Sequence, residues 1–85
     1  MSPVEPPILL AVTATDITGT CAASGTIEVF SDPGDQGETF LGETSCDAIV
    51  PWSLAVHAPR GRNVTATLTD TDRSTSAFSA PLAVP

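Results

Sequence analysis

Apolar and polar residues alternate along this chain in short runs, and Gly, Pro, Asp and Ser separate the runs. Alternation over about four to eight residues marks a half-buried strand, because successive strand side chains point to opposite faces. The pattern predicts seven strands. The first covers Ile8 to Thr13, after the Pro6-Pro7 stop, and the second Asp16 to Cys21. The third covers Gly25 to Ser31, with Ile27 and Val29 on one face. A loop dense in turn formers follows (Asp32-Pro33-Gly34-Asp35-Gln36-Gly37), then a strand from Thr39 to Ser45. The fifth run, Val50 to His57, alternates Val50, Trp52, Leu54 and Val56. The sixth, Asn63 to Asp70, sets Val64, Ala66 and Leu68 against Thr65, Thr67 and Thr69. The seventh, Thr75 to Val84, puts Phe78, Ala80, Leu82 and Val84 in one register. No stretch keeps apolar groups at helical spacing, and twelve threonines with eight prolines oppose helix.

Short strands with turns at this spacing predict an all-β fold, a seven-stranded antiparallel immunoglobulin-like sandwich with Greek-key connections. Its expected core is Trp52, Leu54, Val56, Val64, Leu68 and Phe78. Residues 1–7 read as an N-terminal tail and 8–84 as one domain. Pro81 suits an edge strand, where a missing N–H does little harm. Pro51 is awkward if the fifth strand is interior, and it predicts a strand start or a bulge there.

Composition narrows the function. The chain has 85 residues, a formal charge of −7 and no lysine; its basic residues are Arg60, Arg62 and Arg73. Such a surface repels phosphate backbones, which argues against nucleic acid. The longest apolar run, Ile8 to Val12, is too short to span a bilayer. Lysine-dependent chemistry is excluded: no Schiff base, no phosphate-loop lysine, no Lys–Asn crosslink. So short a chain buries only a modest fraction of its surface and gains from a staple. Cys21 and Cys46 are its two cysteines. In an oxidising compartment they read as one disulfide, in a reducing one as two buried thiols. Successive antiparallel strands place the end of the second and the end of the fourth at one pole, so a bridge there is geometrically reasonable. If the bridge forms, the expected setting is extracellular, and the chain reads as a segment of a larger protein.

Three stretches carry a family resemblance. Gly25-Thr26-Ile27-Glu28-Val29-Phe30-Ser31-Asp32, followed by Gly37-Glu38-Thr39-Phe40-Leu41-Gly42, resembles the repeated bacterial Ig-like domains. So does Asn63-Val64-Thr65-Ala66-Thr67-Leu68-Thr69-Asp70 with Ser74-Thr75-Ser76-Ala77-Phe78-Ser79-Ala80-Pro81, and Trp52-Ser53-Leu54 matches the family's aromatic strand phrase. The resemblance runs from about Ile8 to Val84. It implies a noncatalytic spacer, stalk repeat or adhesion module of a secreted or surface protein, with neighbouring domains or copies of itself as partners. One departure is the turn Asp72-Arg73-Ser74, where the family carries Asp-Gly-Asn and a glycine relaxes a positive φ.

Candidate chemistry is sparse, and no cofactor is expected beyond calcium. Asp32, Asp35 and Glu38 share one loop and are the candidate calcium ligands, although their spacing is not that of an EF-hand. The competing reading is an ordinary solvated turn. Asp70 and Asp72, near Asp47, form a second acidic end, with a capped hairpin turn as its competitor. His57 has no nucleophile elbow to serve, so no enzyme is expected. The row Thr65, Thr67, Thr69, Thr71 reads as the wet face of a strand before an ice-binding array. Asn63-Val64-Thr65 is a glycosylation sequon. Trp52, in its alternating run, reads as core before a sugar platform. Two rivals to the spacer follow: an adhesion or ligand-binding module using the acidic loop ends, and a self-assembling fibre subunit. A broad exposed apolar patch would favour the former.

Overall fold

A computed structural model describes residues 4–32, 39–57 and 62–84. The strands are β1 (Ile8–Val12), β2 (Asp16–Thr20), β3 (Gly25–Asp32), β4 (Thr39–Cys46), β5 (Trp52–Ala55), β6 (Asn63–Asp70) and β7 (Leu82–Ala83), with no helix among the described residues. They form two antiparallel sheets, one ordered β1-β2-β5 and the other β4-β3-β6-β7. The fold is all-β and sandwich-like. Val12, Ile17 and Trp52 from the smaller sheet share one buried cluster with Ile27, Val29, Val64, Ala66 and Leu68 from the larger. The alternation that predicted the strands is thus the alternation that fills the core.

Trp52 fits because of the residue opposite it. Gly19 pairs with Trp52 across β2 and β5. A Cβ at Gly19 would lie 2.7 Å from the indole ring, so only glycine lets the ring lie against β2. Among the other expected core residues, Val64 and Leu68 are fully buried, whereas Leu54 and Val56 are half-buried and pack against the cluster.

The fifth strand begins after Pro51 and is shorter than expected. It lies at the edge of its sheet rather than inside it. Proline at its start therefore removes no interior hydrogen bond.

The seventh strand departs most from the alternation. Only Leu82–Ala83 is strand, pairing with Val64 and Asn63, and an isolated bridge joins Thr75 to Thr69. Between these anchors β6 spans 63–69 while the returning chain spans 75–83, two residues longer. Two serines absorb the excess. Ser76 donates its N–H to the Leu68 carbonyl (2.8 Å), and its Oγ accepts the Leu68 N–H (2.9 Å). Ser79 does the same for Ala66, at 2.8 and 2.9 Å. Each hydroxyl then donates to the carbonyl of the following residue, Ala77 or Ala80. A side-chain oxygen takes the place of a ladder carbonyl, and the edge groups of β6 stay satisfied without a regular strand. An added residue also switches side chains between faces. Phe78 is accordingly not core: it stands 39% exposed and its ring meets Phe30.

The chain enters and leaves at opposite poles. Ile8 pairs with Thr20, one residue before Cys21, so the chain enters at the cysteine pole. Val84 donates its N–H to Arg62, at the other end of β6. The body is elongated, 37 × 22 × 16 Å.

Candidate functional site

Three regions carry features that folding alone does not require: the cysteine pole, the acidic turns and the outer face of the larger sheet.

At the cysteine pole, Cys21 follows β2 and Cys46 ends β4, and the two form a disulfide with Cα atoms 6.7 Å apart. The bridge joins one sheet to the other. It also holds the turn from Asp47 to Val50 beside the end of β2. Val50 donates to the Asp47 carbonyl (3.0 Å), Ile49 to the Cys21 carbonyl (2.9 Å), and Ala48 to Ser24 Oγ (3.1 Å). Ile49 takes the third place of this turn at φ 59°. Such a position ordinarily falls to Gly or Asn, and a β-branched side chain there is strained. The strain purchases no burial, since Ile49 is 85% exposed. Beside it, Glu5, Pro6, Ile8 and Cys21 contribute to a shallow groove of about 270 Å³ that Ile49 also lines. Ile8, at 61% exposure, adds a second apolar side chain to this pole.

The acidic turns divide. Asp35 and Glu38 lie outside the described residues, as does the side chain of Asp32, whose backbone closes β3. Asp70 is engaged in its own turn: its Oδ1 accepts N–H donors from Asp72 (2.9 Å) and Ser74 (3.0 Å). This is turn capping by a short carboxylate. Arg73 itself takes the left-handed position, φ 66°, where the resembled family has glycine. Among the described residues no group of three His, Cys, Asp or Glu side chains comes together to hold a metal.

Other expected sites are placed as follows. His57 is exposed, just beyond β5. Trp52 is buried, so it offers no platform to a ligand. The threonine row is a wet face only in part: Thr65 is fully buried and Thr67 nearly so, whereas Thr69 is half-buried and Thr71 exposed. The serine-stitched return of the chain lies alongside β6 at these positions, which alternation within β6 could not reveal. The sequon threonine is that same buried Thr65.

The outer face of β3 and β4 was not singled out by sequence. Phe30 pairs with Phe40 in the ladder and Glu28 with Glu43. The Phe30 ring meets Phe40 edge-on at 5.6 Å and Phe78 at 5.5 Å, so all three phenylalanines of the chain form one cluster. It lies opposite the core side of the sheet, with Phe40 53% exposed. Two like charges directly opposed on neighbouring strands destabilise a sheet. The register needed to see this depends on the bulge between Val29 and Phe30, which shifts β4 by one residue. The signal available in the sequence was the period-two spacing of Glu28 and Phe30, read on the face away from Ile27 and Val29.

No protein-family model matches the chain, and no curated protein is significantly similar to it.

Proposed function

We propose that this chain is a noncatalytic Ig-like, Greek-key β-sandwich module of a secreted or cell-surface protein, which spaces or presents neighbouring domains. The observation that carries the reading is the entry of the chain at one pole of a 37 Å body and its exit at the other. A module threaded end to end adds its length to an array, whereas one with adjacent termini hangs from it as a side branch. The disulfide supports the reading, because a cross-link between the sheets preserves the body against local opening. The Pro6-Pro7 approach supports it as a stiff joint. The apolar pole around Ile49 and Ile8 gives a preceding module something to rest against.

Light scattering on the isolated domain separates this reading from the fibre subunit. The spacer remains a monomer at high concentration. Concentration-dependent growth into long assemblies would favour pairing through open strand edges. A ligand-binding module is the second reading, and the exposed aromatic cluster, rather than the acidic loop ends, is the surface that favours it.

A further inference from the structure

We propose that the outer face of β3 and β4 docks an extended, basic and partly apolar segment of another polypeptide. The inference goes beyond the spacer role and does not depend on it, because a module within a rod still displays this face.

Two costs are stored on one surface. Phe40 and Phe78 stand in solvent although they are two of the three phenylalanines the chain has. One row along the strands, Glu28 faces Glu43 across the ladder. The opposed carboxylates are unfavourable for folding, and the part of each ring not covered by Phe30 is apolar surface left to water; a chain retains such costs where a partner removes them. The chemistry of the partner follows from both. A guanidinium or ammonium group between the two carboxylates relieves their repulsion. Its aliphatic neighbours, and the cation itself, are favoured over aromatic rings. No basic residue occurs in β3, β4, β6 or β7, so the sheet's own strands supply no such cation.

The geometry specifies an extended chain. Glu28 and Phe30 are two residues apart on β3, which sets the acidic and aromatic rows about 7 Å apart. Side chains at i and i+2 of an extended segment running with the strands have that same spacing. A basic residue on the acidic row thus places an apolar one on the aromatic row. A second copy of this chain does not fit, because it would bring the same carboxylates and a charge of −7 against −7.

The test uses the intact, oxidised domain and a short blocked peptide with Arg and Leu alternating at every second position and Thr between. The control peptide has Glu in place of Arg. Binding is followed by calorimetry and by amide NMR shifts at about 0.15 M salt, where distant charges are screened. The Arg peptide is expected to bind, with shifts confined to β3, β4 and the Phe78 region. The double variant Glu28→Gln/Glu43→Gln should bind it about tenfold more weakly, while Glu5→Gln/Asp72→Asn, with the same charge change elsewhere, should lose less than about twofold. Phe40→Ser should also weaken binding, with its melting temperature measured alongside because the change removes the ring contact with Phe30 as well. Absence of binding, equal binding of the Glu peptide, or equal losses in the two double variants would each overturn the proposal. The melting temperature of the Glu28→Gln/Glu43→Gln protein must not fall; a fall would make the pair a structural element instead.

Discussion

The domain is closed in two places by two different means. At the entry pole a covalent bridge ties the end of β2 to the end of β4. Along β6 the returning chain is fastened by Ser76 and Ser79, whose hydroxyls stand in for backbone carbonyls. The bridge acts chiefly on the unfolded ensemble, by removing the freedom of the loop it closes. The serine stitches act on the native state, since each satisfies a donor buried in β6. The difference teaches where the fold tolerates change. The first closure depends on redox state; the second is indifferent to it and depends on two hydroxyls placed to meet buried N–H groups.

The comparison can be broken first at the bridge. Replacing both cysteines (Cys21→Ser/Cys46→Ser) should cost about 2–5 kcal/mol in chemical denaturation. Reduction of the wild-type protein should reproduce that loss, and a mass measurement finding two free thiols in native, unreduced protein would remove the bridge from the account. Ser76→Ala should cost about 1–3 kcal/mol, because the buried Leu68 N–H then loses its acceptor, and Ser79→Ala should cost a similar amount through Ala66. These losses should persist unchanged under reduction. If reduction abolishes them, the two closures are not independent. Smaller effects carry the opposite sign. Ile49→Gly relieves a left-handed β-branched residue that buries almost nothing, so stability should rise by about 0.5–1 kcal/mol by thermal melting. Glu28→Gln should add a few tenths of a kcal/mol, up to about 1, by ending the opposition to Glu43. Raised salt should shrink that gain.

Much of the fold was legible in alternation. Asn63 to Asp70 reads as a strand because Val64, Ala66 and Leu68 are spaced by two between turn residues, and the structure places β6 there. Residues Asp16, Gly25 and Thr39 likewise mark strand starts in both. Strand direction made a Cys21–Cys46 bridge geometrically reasonable in the sequence, with two buried thiols as the alternative, and the structure forms the bridge. Alternation fails where an extra residue enters. The run from Thr75 to Val84 alternates well enough to be read as one strand, yet one of its two additional residues falls between Ser76 and Ser79 and turns Phe78 outward, and the other falls between Ser79 and Leu82. The hydroxyl-for-carbonyl exchange that allows this uses serine, a residue whose sequence signal is only that of a loop. The outer aromatic and acidic rows were hidden for the same reason. Their alignment depends on a bulge at Val29 and Phe30 and on Phe78 changing faces, and neither is encoded in the period of a single strand. The exposed Ile49 was hidden because a positive φ is ordinarily announced by glycine.

Solution scattering on two copies joined in tandem, Val84 of one leading into Val4 of the next, tests the spacer reading most directly. Entry and exit at opposite poles predict a rod whose greatest dimension approaches twice the 37 Å length of one module. A compact particle with the two bodies side by side, little longer than one module, would contradict it.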